Sequence, residues 1–355
     1  MFLFNKKSFD FFLKTAFAFL LIFFISSYLF PPRPILPKEG SPPLFYANQN
    51  RDDLELVIKL ALEEAKESIV LAIFGLSDEC ILKTLKKKSE EGVSVTIIYD
   101  SHASKGLRNK LGNKVHLFPR HEKGHMHLKI LSIDKKISWI GSANMTWESL
   151  NMHDNLIIGI HSKQVACFIE EYLQTFTKKN SLQQEKYLQA TVGGQTIQIY
   201  FLPEQTKTQQ ALIHLIHNAK KSLHIAMFTW TRKDFAQAIV QAKERGVQTE
   251  SILDYHSGRG SSKHIVQYLH QKNVPVALNQ GMQLLHHKLL CIDSNILVTG
   301  SANWTKSAFT QNDDCLIVIN ELNSKQKRVI NTVWKVTSLE SSEKMLILDS
   351  NPPSS

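Results

Sequence analysis

A chain of 355 residues with 43% hydrophobic and 21% charged side chains has ordinary globular composition and is long enough for one large domain or two of common size. Its formal net charge of +10 favours anionic partners: nucleic acid, acidic lipid surfaces or phosphate esters. Four cysteines (Cys80, Cys167, Cys291, Cys315) show no CxxC or other close spacing, so nothing in them looks like a zinc site and nothing supports a Cys291–Cys315 bridge.

Taken in order, the chain opens on Lys6, Lys7 and Lys14 beside an apolar run from Thr15 to Phe30. The run is longer than most signal-peptide cores and shorter than the roughly 20 residues of a spanning helix. It predicts a signal-anchor over residues 1–30, with a cleaved signal peptide as the second choice. Lysines before it and only Arg33 and Lys38 after it place the body outside the cytoplasm, membrane-anchored or exported. Residues 31–43 hold six prolines and read as a stiff, extended spacer, with the folded body starting at Leu44.

Asp52–Lys66 has helical apolar spacing at Leu54, Val57, Ile58, Ala61 and Leu62, and Ile69–Phe74 reads as a strand. Asp78–Glu91 is an amphipathic helix whose Lys86, Lys87 and Lys88 form a solvated face, and Val93–Tyr99 is a strand ending at Asp100. This alternation predicts an α/β fold. The series recurs downstream. Phe74 matches Phe228, Gly92 matches Gly246 and Asp100 matches Asp254, all offset by 154. From His127 the offset is 159, and His, Lys, Ile, Asp, Ile, Gly, Ser, Ala, Asn and Thr of residues 127–146 return in order. The duplication predicts two similar units, 44–178 and 193–340, with a connector at 179–192 and a frayed tail at 341–355.

The repeated core reads H-x-K-x4-D and then G-S-A-N: His127, Lys129, Asp134 and Gly141–Asn144, then His286, Lys288, Asp293 and Gly300–Asn303. The sequence between motif and G-S-A-N is β-prone and fits two strands joined by a tight turn. Residues two apart on a strand share a face, so His127 and Lys129 point together, as do His286 and Lys288, Ser142 and Asn144, and Ser301 and Asn303. Each copy therefore offers an imidazole, an ammonium and two neutral polar groups to one small anion.

These two motifs resemble the signature of the phospholipase D superfamily, the HKD phosphodiesterases. The resemblance implies a duplicated α/β/α sandwich whose halves share one active site, in a chain active as a monomer. It implies that one histidine attacks phosphorus to form a phosphohistidine while the other protonates the leaving alkoxide. His127 is placed as nucleophile and His286 as acid, with the reverse assignment open. Lys129 and Lys288 would neutralise the phosphoryl oxygens with help from Ser142, Asn144, Ser301 and Asn303, so no metal or other cofactor is called for. An acidic residue beyond G-S-x-N would orient each histidine: Asp154 and Asp314, with Asp313 an alternative to the latter. Asp134 and Asp293 belong to the catalytic motif, yet stand an odd number of residues from their histidines and read as strand-end structural groups. His121, His125 and His287 lack a carboxylate to complete a metal geometry. Trp147 and Trp304 stand where a substrate mouth or simple packing would use them.

Neither motif has lost a residue, which argues against a non-enzymatic scaffold. A phospholipase D-like enzyme acting on phospholipid at a membrane surface is the first expectation, and an HKD nuclease the second. A cardiolipin synthase-like transferase fits less well, because many such enzymes are longer.

Overall fold

The computed structural model describes residues 11–12, 14–21, 33–121, 123–178, 186–204 and 206–342. Residues 1–35 form one unit and 36–355 another. In the first, residues 11–12 and 14–21 are helical, and the remainder of the expected signal-anchor lies outside the described residues. Among the described residues, no helix is long and apolar enough to cross a membrane.

The body holds two mixed sheets. The first comprises β1 (Leu44–Ala47), β2 (Ser68–Ile73), β3 (Ser94–Asp100), β4 (His116–Arg120), β5 (Lys129–Ile133), β6 (Ile137–Gly141) and β7 (Leu156–His161), in the order β1-β7-β6-β5-β2-β3-β4. Strands β2, β3 and β4 run parallel and the other neighbours are antiparallel. The second contains β8 (Tyr187–Val192), β9 (Gln195–Leu202), β10 (Ser222–Met227), β11 (Gln248–Asp254), β12 (Val276–Asn279), β13 (Lys288–Ile292), β14 (Ile296–Gly300), β15 (Asp314–Ile319) and β16 (Ser341–Ser342). Its order is β16-β12-β11-β10-β13-β14-β15-β9-β8, so β15-β14-β13-β10-β11-β12 repeats β7-β6-β5-β2-β3-β4.

Helices α1 (Leu54–Glu64) and α2 (Glu79–Glu90) cover the outer face of the first sheet. The five apolar positions expected to face inward on α1 are all buried, and Asp53 caps it by accepting from Leu56 N at 2.8 Å. Short helices α3 (Leu107–Leu111) and α4 (Trp147–Asn151) follow, then α5 (Lys163–Leu173). In the second half come α6 (Thr206–Asn218), α7 (Lys233–Glu244), α8 (Tyr255–Arg259), α9 (Lys263–Gln271), α10 (Lys306–Thr310) and α11 (Ser324–Leu339). Helices α6, α7 and α9 cover the outer face of the second sheet. Between the sheets lies a third core, where Val165 and Ile169 of α5 and Ile330 and Val333 of α11 join Ile130 and Ile158 of one sheet and Ile199 and Ile317 of the other. The duplicated sandwich thus has a single shared middle layer.

Two segments expected to be linkers are built into this body. Residues 187–192, assigned to the connector, form edge strand β8 on β9, and 179–185 lie outside the described residues. The alternation Ala190 and Val192 inward, Tyr187 and Gln189 outward, was masked by the many polar residues around it. The described part of the proline-rich spacer, residues 33–43, forms neither helix nor strand, but Pro37 is buried against Gly159 and the Pro43 carbonyl accepts from Gln326 Nε2 at 2.8 Å. The tail begins with β16, paired to β12, and continues beyond the described residues.

The strand pairs β5–β6 and β13–β14 are the hairpins expected around each motif. Their turns hold non-glycine residues in the left-handed region, Asp134 and Lys135 at φ 52° and 53°, and Asp293 and Ser294 at 53° and 51°. The aspartates stabilise that conformation themselves. Asp134 accepts from the backbone N–H groups of Lys66, Glu67 and Ser68 at 2.8–2.9 Å, and Asp293 from those of Lys220, Lys221 and Ser222. Both carboxylates are therefore spent on tying the hairpin to the start of the neighbouring strand. Replacing Asp134 with Ala is expected to destabilise the fold by about 2 kcal/mol, measured by urea unfolding. A loss of turnover with stability intact would instead return Asp134 to the chemistry.

Candidate active site

The register that pairs the hairpins with their neighbours sets the site. Ile73 of β2 lies opposite Lys129, and Met227 of β10 opposite Lys288. One residue on, Phe74 N donates to Leu128 O and Phe228 N to His287 O, so each aromatic ring comes to lie beside its motif. Lys129 Nζ is 5.2 Å from the Phe74 ring centre and Lys288 Nζ 5.0 Å from that of Phe228. The same rings meet His127 at 5.4 Å and His286 at 5.2 Å. Each lysine also donates to the carbonyl of its own histidine at 2.8 Å, which holds ammonium and imidazole together.

Each half is completed by the other. His127 N donates to Asp313 O at 2.9 Å, and His286 N to Asp154 O at 3.1 Å, as equivalent bridges related by the pseudo-twofold axis of the repeat. His127 Nδ1 contacts Asp314 Oδ1 at 2.7 Å. A carboxylate can only accept, so Nδ1 carries the proton and Nε2 presents its lone pair. Asp314 is thus one of the two aspartates expected to orient a histidine, and the histidine it meets belongs to the other half, a pairing the sequence reading did not specify.

Asp154 does not reach His286. The group there is Asn155, whose Oδ1 lies 3.0 Å from His286 Nδ1. Asn155 Nδ2 donates to Ser149 O at 2.8 Å, which fixes the amide with its oxygen toward the imidazole. The repeat itself carries this pairing: an offset of 159 matches Asp314 with Asn155, and Asp154 with Asp313. Asp154 is buried instead, and burial raises its carboxyl to about 7, with the charge of Glu340 adding to the effect.

The G-S-A-N side chains divide by position. Ser142 Oγ donates to Asn155 Oδ1 at 2.8 Å and Ser301 Oγ to Asp314 Oδ1 at 2.7 Å, and each accepts a backbone N–H from the next strand. Both serines are buried and brace the group behind a histidine, where a substrate phosphate was the partner expected. Asn144 and Asn303 accept from Gly75 N and Thr229 N, an arrangement that leaves the amide N–H groups for an anion. Trp304 is packed against Trp230 and Phe235, whereas Trp147 is exposed. Cys291 and Cys315 are buried free thiols. His125 lies 3.4 Å from Asp100, and buried His287 meets Gln49 across the halves at 3.0 Å.

Burial dominates the electrostatics. It lowers His127 to about 4 despite the attraction of Asp314, and lowers Lys129 to about 7. His286 falls well below its ordinary value by burial and then by the charge of Lys288, and Lys288 does so by burial and then by the charge of Lys129. For Asp314, burial works upward but is outweighed by His127, Lys129 and Ser301, which hold the carboxylate ionised. Four cationisable groups thus gather around Asp314, with Asp100 and Asp254 acting on Lys129 and Lys288 in turn, and burial still leaves the site short of positive charge at rest. An arriving phosphodiester brings negative charge and raises all four. Binding of inorganic phosphate near pH 7 is therefore expected to take up protons, measurable by calorimetry in buffers of different ionisation enthalpy; zero uptake would show that the resting site already carries its full charge.

Next to His286 opens a cavity of about 610 Å³, lined among others by Glu148, Met152, His153, His256, Met282 and Leu284. The His153 ring lies 6.3 Å from that of His286. Neither Phe74, Phe228, Asn155 nor His153 was singled out as a site residue from sequence.

Comparison with known proteins agrees with this geometry. The model of a family described as cardiolipin synthase, PLD-like domain, matches residues 58–178 and again 212–334. Mouse mitochondrial cardiolipin hydrolase is 26% identical over 122 residues, 34% of this chain and 54% of the relative. A cardiolipin synthase of Staphylococcus aureus is 26% identical over 271 residues, 65% of this chain and 54% of the relative. The alignments thus span about half the length of either relative. The crystal structure of phosphatidylserine synthase from Haemophilus influenzae shares the fold, with TM-score 0.66 and 13% identity over 87% of this chain and 89% of that one. Matched twice along its length by the family's model, and folded so that the two copies close on one another, the chain belongs to the phospholipase D-like superfamily.

Proposed function

We propose that the chain cleaves the phosphodiester of a phospholipid without a metal, through a covalent phosphohistidine on His127. The observation that carries the assignment is the unequal pair of histidine partners, a carboxylate on His127 and an amide on His286. A phosphorylated imidazole is cationic, and Asp314 stabilises that charge; Asn155 cannot, which leaves the His286 imidazolium the stronger acid. His127 Nε2 attacks phosphorus, the P–O bond to the leaving alcohol breaks, and the proton on His286 passes to the departing oxygen. In the second step His286 takes a proton from the incoming hydroxyl, whose oxygen displaces His127 from phosphorus. Lys129 and Lys288 hold the non-bridging oxygens in both steps.

A second reading concerns only the incoming hydroxyl. Similarity to a synthase over 65% of this chain, spanning both halves, supports an alcohol as acceptor alongside water. The test offers the full chain phospholipid vesicles with and without glycerol, and single- and double-stranded DNA and RNA, all in excess EDTA. Head-group release that requires His127 supports the proposal, and a new phosphatidyl ester in glycerol supports transfer. Cleavage of nucleic acid with lipid intact replaces the lipid by a nuclease, and loss of all activity to EDTA removes the metal-independent mechanism.

A further inference from the structure

The pseudo-twofold axis should give the mouth of the site two equivalent lips, but the sequence has made them opposites. On the His286 side stand Trp147, Met152, Met282 and Leu284; an offset of 159 places Lys306, Gln311, Lys123 and His125 at the same positions on the His127 side. Every substitution runs the same way, from apolar to polar or cationic. The equivalence is structural as well. Asp154 N donates to Leu284 O on one side and Asp313 N to His125 O on the other, both at 2.9 Å, so each lip loop is stitched to the opposite half beside a catalytic histidine.

The apolar lip is open to solvent. Met282 is 100% exposed, Trp147 54% and Met152 41%. Met152, Met282 and Leu284 line the cavity beside His286, and Trp147 precedes Glu148, which lines it too. Lys123, His125 and Lys306 are exposed on the other lip, with exposed His121 beside them. Large apolar side chains gathered in the open mark a contact surface, and Trp is favoured where one end of a ring is dry and the other wet. A soluble phosphate ester needs the cations alone. A nucleic-acid strand would use cations on both lips.

We infer that the mouth is an interfacial surface for an anionic lipid bilayer, with Trp147, Met152 and Met282 entering the acyl boundary while Lys123 and Lys306 lie against acidic head groups. This rests on the lipid reading above and adds to it which face meets the bilayer and with what charge. A lipid phosphodiester then passes from bilayer to site along one apolar wall and one cationic wall, without crossing bulk water.

The test is quenching of tryptophan fluorescence by phospholipids brominated on the acyl chain, in the full chain. Of the tryptophans, 139, 230 and 304 are buried and 334 is half-buried, and residues 1–30 contain none, so the apolar N-terminal run is silent in this signal. Vesicles containing phosphatidylglycerol are expected to quench a component that disappears in Trp147→Phe. Combining Lys123→Glu with Lys306→Glu should raise the lipid needed for half-quenching by about tenfold or more, and Met282→Asp should raise it as well. Quenching no greater than in Trp147→Phe, or indifference to lipid charge and to the lysine substitutions, would overturn the inference. So would oligonucleotide binding that depends on Lys123 while brominated vesicles leave Trp147 bright. Quenching of Trp147 without lipid turnover would leave the surface standing and remove the lipid phosphodiesterase; lipid turnover without quenching would do the reverse.

Discussion

His127→Ala is expected to lower turnover of any phosphodiester by roughly 10⁴–10⁶-fold, because it removes the nucleophile and no neighbouring group can replace it. His286→Ala should lose as much with a lipid, whose alkoxide leaving group needs a proton, yet recover with an ester of p-nitrophenol, which leaves unassisted. The recovered activity is then a single burst, since the same variant lacks the base that activates water, and phosphate should accumulate on His127. Acid-labile phosphohistidine in His286→Ala, detected by peptide mass spectrometry after quenching at alkaline pH, fixes both roles at once. The opposite pattern, with His127→Ala rescued by the better leaving group, would exchange them. Both side chains sit at the mouth of formed strands, so a thermal melt close to that of the wild type separates lost chemistry from a lost fold.

Asp314→Asn is expected to cost more than any change at Asn155. The carboxylate both fixes the His127 tautomer through a 2.7 Å contact and offsets the positive charge of the phosphorylated ring. An amide can accept the same hydrogen bond but brings no charge, and the comparable exchange in a catalytic triad costs about 10⁴-fold in kcat. Roughly 10²–10⁴-fold is expected here, carried by kcat with KM nearly unchanged. Asn155→Ala removes a neutral partner from His286 and should cost about tenfold. Equal losses at the two positions would mean that the asymmetry is structural and carries no division of roles. There is also a signature in pH. Asp314 raises the proton affinity of His127 against burial, so Asp314→Asn should move the acidic limb of kcat/KM to lower pH while depressing the plateau.

Much of this was legible in the sequence because it was written twice. The α/β alternation, the hairpin around each motif and the inward face of Leu54–Glu64 follow from periodicity alone, and the motif residues announce themselves by recurrence. Two kinds of information were not local. The partner of His286 sits one residue from where an acidic side chain drew attention, and only strict use of the repeat offset would have preferred a neutral Asn155 to a charged Asp154. The serines of G-S-A-N lie just past the ends of β6 and β14, and what they meet is set by the chain entering the following strand, 13 residues on, which no strand rule supplies. The strand at 187–192 was hidden by composition, because an edge strand with one wet face carries the polar residues of a linker.

The exchange of parts across the pseudo-twofold axis has a consequence for what such a chain can become. In a pair of identical subunits, any change behind one histidine appears behind the other, so a nucleophile and an acid must be served by the same neighbour. Joining the copies in one polypeptide releases that identity. Asp314 and Asn155, or Met282 and Lys123, can then be chosen separately, one for each task, while the shared middle layer holds the two halves together.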